Sequence, residues 1–365
     1  MRNLLILVII IFIFLYSTNV IAQTPEQKLQ PLIWAEEQDS IGFNLETALG
    51  LEKAYGIKKT RVAKRRLNKI FREVSKSFKT DTVYTRPEAR TFFKLLDETL
   101  DEAGLWRSDA TFLTPGLLED KFTLDCDNLS LIYVDFGKRL HLPIKPVYSK
   151  NHMFVRWVFP DGSYMNWDPL AGMSYSDKSY RDSPLSIEKG IYLKTLSDKE
   201  APGNLFFNIA FDLKEKGDYE YALKYLNKSL EMDSLLIIAY INKATVFDRL
   251  GNYRDAIDMY NTIETIDTTD FRIYARRGNL YERSGEYKAA LIDYSRALAY
   301  NGVFNSVQHR LKIYFSMIKI YKSIGEEEKA DSLYQKLTSF HPALTETYIK
   351  KLTKLYGKDA FKINE

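Results

Sequence analysis

The chain has 365 residues, 45% hydrophobic and 27% charged. That composition excludes a disordered or fibrous protein and leaves room for two or three cores. Its 52 Lys+Arg against 48 Asp+Glu give a net charge of +4 with both signs interspersed, which excludes the concentrated basic surface of a nucleic-acid binder.

The N-terminus reads as an address. Arg2 gives a positive start, Leu4 to Tyr16 is an unbroken apolar run, and Val20-Ile21-Ala22 precedes Gln23. These three parts predict a secretory signal over residues 1–22, cleaved near Ala22-Gln23. The run is shorter than the ~20 residues that span a bilayer, and a retained anchor is the alternative. No other segment has the length to cross a membrane, so the mature chain is expected to be exported, periplasmic or secreted, without a membrane span. One cysteine, Cys126, rules out an intramolecular disulfide. In an exported protein an odd cysteine is either a reactive thiol or a buried small hydrophobe.

Residues 24–115 read as helical. Val62, Leu67, Ile70 and Phe71 recur at helical spacing within a basic stretch from Lys58 to Arg72, a charge run that reads as a solvated helix face. Phe92, Phe93, Leu95, Leu96 and Leu100 mark a further helix ended by Gly104, and Pro115-Gly116 is expected to break the chain.

After the break comes Leu124-Asp125-Cys126-Asp127-Asn128, followed by Leu129, Ile132, Tyr133, Phe136 and Leu140 at amphipathic spacing up to Pro143. Asp125 is a good N-cap and puts Cys126 in the first turn. Helix-start N–H groups favour a thiolate, but Asp125 and Asp127 oppose it, so a nearby imidazole is needed as counter-ion. Of the four histidines, His152 alone opens a strand-like run, His-Met-Phe-Val-Arg-Trp-Val-Phe. Pro160-Asp161-Gly162 turns the chain, and Ser163 to Trp167 returns toward Asp168-Pro169. Helix with Cys, strand with His and neighbouring strand with Asp is the layout of a nucleophile, its base and the group that orients the base. A three-residue loop would oppose Phe154 to Asp168 and leave Asp168 on the face of His152. A two-residue loop would oppose Val155 and remove Asp168 from the triad. An odd-length loop or a bulge is therefore predicted.

These residues resemble the bacterial transglutaminase-like superfamily. The order Cys126–His152–Asp168 carries the resemblance, with Leu140-x-Leu-Pro143, His152-x-Phe-Val-Arg156 and the Asp161-Gly162 hairpin before Asn166-Trp167-Asp168-Pro169. It covers about residues 25–180. It implies a cysteine helix packed on an antiparallel sheet, Cys126 as nucleophile, His152 as base and Asp168 as orienting carboxylate. The family often has Gly where this chain has His141, a change at a helix end. Asn128, Arg156 and Trp167 are weaker candidates for a substrate cleft; capping explains Asn128 equally well, and packing is the plainer role of the other two. Asp177 and Tyr180 follow in a polar loop that would edge the cleft.

From residue 203 the sequence repeats itself. Gly217-Asp218-Tyr219, Gly251-Asn252-Tyr253 and Gly285-Glu286-Tyr287 each precede a small residue, Ala222, Ala256 and Ala290. Gly325 with Ala330 is a fourth copy. Phe206, Tyr240, Tyr274 and Tyr314 share one slot, Leu213, Phe247, Tyr281 and Tyr321 a second, and Leu226, Tyr260, Tyr294 and Tyr334 a third. This resembles tetratricopeptide repeats over residues 203–342, ending near Pro342, with Ile318 where a small residue is usual. The resemblance implies stacked helix pairs whose aromatics are core and whose curved surface holds a protein or peptide partner.

The expected fold is therefore α+β, a transglutaminase-like (papain-like) helix-plus-antiparallel-sheet domain followed by an all-α tetratricopeptide repeat solenoid. Residues 1–22 are the signal, 23–200 the transglutaminase-like domain with a helical N-terminal part, 203–342 the four repeats, and 343–365 a C-terminal helix or tail. One Cys and four scattered His give no metal-ligand spacing, and the absence of phosphate-binding glycine motifs points to no nucleotide cofactor. The resulting expectation is an exported thiol enzyme acting on peptide or amide bonds through a thioester, a peptidase or amidase with water as acceptor and a cross-linking transferase with an amine. The alternative is a catalytically silent domain in an interaction scaffold. A small-molecule acyltransferase using the same triad ranks last.

Overall fold

The computed structural model describes residues 23–38, 40–76, 78, 84–107, 112–118, 122–150, 152–180, 184–269, 271–299 and 307–340. The expected signal segment, Pro342 and the tail 343–365 lie outside the described residues. The chain divides into two compact units, one drawn from residues 1–182 and 192–234, the other from 183–191 and 235–365.

In the first unit α1 (Pro25–Glu36), α2 (Leu45–Ala54), α3 (Thr60–Ser75) and α4 (Arg86–Glu102) form the helical N-terminal part. Each start follows from local chemistry: Thr24 and Gln27 close a capping box on α1, Asn44 caps α2, and Thr85 with Glu88 closes a second box on α4. Of the residues expected at helical spacing in α3, Leu67 and Ile70 are buried and Phe71 half-buried, whereas Val62 is exposed. Val74 joins the buried side, and most of the basic residues face out while Arg66 turns in to the Ala103 and Leu117 carbonyls. Two expectations need correction. Leu105–Arg107 is a strand, β1, paired in parallel with β2 (Phe122–Leu124), not helix. Pro115-Gly116 does not break the chain but lies inside a short helix, α5 (Leu113–Leu118), because a first-turn proline forfeits no helical hydrogen bond.

Next come α6 (Cys126–Arg139) and an antiparallel sheet in the order β3 (Ile144–Ser149), β4 (His152–Val158) and β5 (Tyr164–Trp167). Helix α6 is buried from Asn128 to Gly137. It lies so close to the sheet that a Cβ at Gly137 would come within 2.9 Å of Ile144. Strand alternation puts Ile144, Met153, Val155 and Trp157 on the face toward α6, and His152, Phe154 and Arg156 on the other. Phe92 and Phe93 of α4 close on Trp157 at centroid distances of 5.9 and 5.8 Å. Such aromatic pairs contribute about 0.5–1.5 kcal/mol beyond their burial.

The first repeat, α8 (Gly203–Glu215) and α9 (Tyr219–Met232), belongs to this same unit. The expected boundary at residue 200 is therefore displaced, and the reason is specific bonding. Tyr55 donates to Asp212 at 2.6 Å, Lys28 meets Asp218 at 2.6 Å, and the Tyr225 hydroxyl donates to the Lys28 carbonyl at 2.6 Å.

The second unit holds α7 (Pro184–Glu188) and three helix pairs: α10 (Ile237–Arg249) with α11 (Tyr253–Ile266), α12 (Phe271–Ser284) with α13 (Tyr287–Ala299), and α14 (Val307–Ser323) with α15 (Glu327–Phe340). Ser186 of α7 anchors on Asp267 at 3.0 Å. Every repeat glycine has a positive φ, from 78° to 83°, and the residue after each donates to the second recurring slot: Asp218 to Leu213, Asn252 to Phe247, Glu286 to Tyr281 and Glu326 to Tyr321. That six-to-one bond closes the first helix of each pair, and only glycine enters it without strain. Ala222, Ala256, Ala290 and Ala330 are fully buried. At Gly278 even a methyl group would strike the Tyr294 ring at 2.9 Å, so the small slots are set by helix approach.

Candidate active site

The cysteine helix begins as its residues dictate. Asp125 caps it, accepting from the Asn128 backbone N–H at 2.9 Å, and Cys126 opens the first turn. At its other end His141 stands at φ +56° while Leu142 donates to Gly137 and His141 to Lys138. This is the same helix closure as in the repeats, made here by a residue with a side chain. The helix then delivers the chain into β3.

The hairpin takes the longer of the two loops weighed above. Val155 pairs with Trp167 and Val158 with Tyr164, and Phe159 donates to Ser163. Pro160-Asp161-Gly162 is the loop, with Gly162 at φ +79°. The register continues to oppose Phe154 and Asp168, so His152 and Asp168 share a face. His152 Nε2 lies 2.8 Å from Asp168 Oδ2. The other carboxylate oxygen, Oδ1, accepts the backbone N–H groups of Leu170 and Ala171 at 3.0 and 3.2 Å. The carboxylate is thus fixed at both ends, and with Asp168 accepting from Nε2–H the imidazole presents Nδ1 as its basic nitrogen. These turn N–H groups were not anticipated, although Asp168-Pro169-Leu170-Ala171-Gly172 has the composition of an Asx turn.

The thiol is placed differently from expectation. Its hydrogen bond goes to Asp127 Oδ1 at 3.6 Å, and the Met153 backbone N–H is directed at the sulfur. Among the described bonds of Cys126 and His152 none joins sulfur to imidazole. Burial pushes the Cys126 thiol far above its ordinary value; Asp127 adds to that, the Met153 N–H opposes it and Asp125 adds again. Burial likewise raises the Asp127 carboxyl, against the pull of Cys126 and His152. The expectation of an imidazole counter-ion at the thiolate is corrected for this arrangement: the sulfur lies beside the β4 backbone and carries its proton. Met153 N–H contributes through the main chain, so no side-chain pattern announced it.

The weaker cleft candidates all make contacts within the scaffold. Arg156 is 6% exposed and spends its guanidinium on Asn166 at 2.8 Å, the Leu193 carbonyl at 3.0 Å and Asp177 at 3.1 Å, with Tyr164 against its face at 3.9 Å. Trp167 is 2% exposed, donates to Asp97 at 3.0 Å and stacks on Phe93 at 5.3 Å. Asn128 donates to Asp125 at 2.9 Å and serves the cap. Each of the three is engaged in holding the scaffold. Tyr180, by contrast, borders the site: it stacks on Phe154 at 4.1 Å and faces His152 at 6.2 Å. Asp177 fastens the turn that carries it (Asp177–Tyr180) through Tyr164, Asn166 and Arg156. The Tyr180 hydroxyl is buried without a hydrogen-bond partner among the described residues, and burial, then Asp168 and Asp177, raise its pKa. No group of three or more His, Cys, Asp or Glu with the arrangement of a metal site occurs among the described residues.

Comparison with known proteins bears on the repeats. Residues 271–303 match the family model described as tetratricopeptide repeat. Among solved structures the chain is similar to YrrB, described as a tetratricopeptide protein with an unusual peptide-binding site, at 22% identity over 38% of this chain and 68% of that one, with a TM-score of 0.32. It is also similar to two structures of MamA, at 27% identity over 37% of this chain and 75% of that one (TM-score 0.33), and at 24% over 43% and 85% (TM-score 0.35). No curated protein matches the chain in sequence.

Proposed function

We propose that the chain is an exported transglutaminase-like thiol enzyme acting on peptide or amide bonds, with a repeat array that holds a protein or peptide partner. The observation that carries this reading is the His152–Asp168 bond of 2.8 Å, with the carboxylate fixed by two backbone N–H groups. A histidine oriented to this degree, whose charge is felt by Asp127 in the first turn of the cysteine helix, suits general-base work. In the reaction the Cys126 sulfur leaves Asp127 and turns toward His152 Nδ1, which takes its proton as sulfur attacks the amide carbonyl. The imidazole then returns that proton to the departing amine, leaving a thioester. Water or a second amine releases the acyl group. Helix-start N–H groups, including that of Cys126, would receive the developing oxyanion.

A specific observation favours a second reading, a silent domain in an interaction scaffold: the half-buried thiol is bonded to Asp127 instead of the imidazole. Incubating the full chain with a peptide library, and reading hydrolysed or cross-linked products by mass, separates the two. Products that vanish in Cys126→Ala and fall by roughly 10⁴-fold in Asp168→Asn support the enzyme. Products that persist in Cys126→Ala, or none from any peptide, support the scaffold.

A further inference from the structure

The near balance of charge over the whole chain conceals one local excess. Residues 53–76 hold ten of its 52 Lys and Arg but only one of its 48 Asp and Glu, Glu73, so the remaining residues together are net negative. Helix α3 puts this excess in order. Arg61, Arg65, Lys69 and Arg72, with Lys76 at the C-cap, follow one another at i, i+4, i+8, i+11 and i+15. At 3.6 residues per turn and 1.5 Å per residue, they lie within about 80° of one another and form a stripe about 22 Å long. All five are exposed. The buried Ala63, Leu67, Ile70 and Val74 occupy the opposite side of the helix, so packing of α3 against its unit turns the stripe outward.

Of the five, Lys76 meets Glu73 at 2.7 Å. Single unpaired cations occur elsewhere on the chain; alignment and density set this row apart. A row on the outside of a helix has no walls to enclose a small anion or a peptide. Its complement in shape and charge is an extended anionic plane, and a basic cluster of this size on an amphipathic helix suits anionic lipid headgroups. Val62, 40% exposed beside the stripe, adds an apolar side chain of the kind that enters a membrane interface. We propose that this face of α3 binds the headgroup surface of an anionic phospholipid bilayer, a peripheral contact with the helix axis parallel to the membrane plane. The proposal is independent of the thiol chemistry and of what the repeats hold.

The test uses the chain from Gln23 onward, which keeps every described residue and leaves out the apolar run of the expected signal. Co-sedimentation is measured with phosphatidylcholine vesicles and with vesicles containing about one-third phosphatidylglycerol. Each cation near an anionic bilayer is worth about fivefold in partitioning, so the anionic vesicles should bind at least about tenfold more tightly. Raised salt should abolish the difference. Arg61→Gln with Arg65→Gln and Lys69→Gln, checked by its thermal melt, is expected to weaken binding about 100-fold, whereas Arg61→Lys with Arg65→Lys keeps it. Arg254→Gln with Lys288→Gln and Lys312→Gln, at three exposed cations of the second unit, lowers the net charge equally and is expected to leave binding unchanged. Equal binding to neutral and anionic vesicles, no binding to either, or equal losses in the two triple variants overturns the proposal. So does tighter binding to a DNA duplex than to anionic vesicles at equal phosphate concentration, which would assign the stripe to nucleic acid.

Discussion

The proton on Cys126 faces the Asp127 carboxyl, whose pKa burial raises, and this pair sets how readily the thiol reacts. Replacing Asp127 with Asn removes a negative neighbour that raises the thiol's pKa. Asp127→Asn is therefore expected to move iodoacetamide alkylation of Cys126 to lower pH. An unmoved profile would mean that burial alone holds the proton. A second buried acid acts on stability. Glu52 is 5% exposed, accepts the backbone N–H groups of Leu113 and Thr114, and has its pKa pushed by burial from 4.5 to about 7. A carboxyl raised on folding favours the native state most below its unfolded value, and that advantage is lost as pH rises through the folded one. Between about pH 4.5 and pH 7 the wild type should lose about 3 kcal/mol from this group. Glu52→Gln, which keeps an acceptor oxygen, should flatten that slope in urea melts across the same range.

Helix closure is the recurring device among the elements, and it appears with two different residues. In the repeats a glycine takes the left-handed position; at the end of α6 it is His141, at φ +56°. A side chain there costs about 1–2 kcal/mol, which glycine avoids at the expense of a more flexible unfolded chain. His141→Gly is accordingly expected to stabilise the first unit by up to about 1 kcal/mol, seen as a rise of a few degrees in its melting temperature. The bonds from Leu142 to Gly137 and from His141 to Lys138 should survive in the variant's structure. An unchanged or lower melting temperature would mean that the His141 side chain has a compensating role.

At the scale of the molecule the repeat numbering and the folding units disagree. The first helix pair reads as repeat by its glycine and its buried Ala222, yet Tyr55, Lys28 and Tyr225 tie it to α1 and α2. A chain ending at residue 200 should lose these bonds, each contributing about 1 kcal/mol, and expose the buried face of α1. A chain ending at residue 234 should retain the melting transition of the first unit, whereas one ending at 200 should melt several degrees lower by calorimetry. Equal melting of the two would place the boundary back at the start of the repeats.

Periodicity and turn chemistry are local, so the sequence by itself determined the helix-start position of Cys126, the two returning strands, the three-residue loop as the one that keeps His152 and Asp168 on a shared face, and the recurring glycine closures. Each of these is fixed by residues within one helix, one hairpin or one helix pair. What crosses between elements was not legible. Whether Arg156 and Trp167 face a substrate or the core depended on Asp177 and Asp97, 21 and 70 residues away. The direction of the thiol depended on the β4 backbone at Met153. The boundary of the first unit depended on side chains of α1 and α2 meeting helices more than 150 residues later. Partners at that separation leave no spacing to read, because only the packed fold sets their distance.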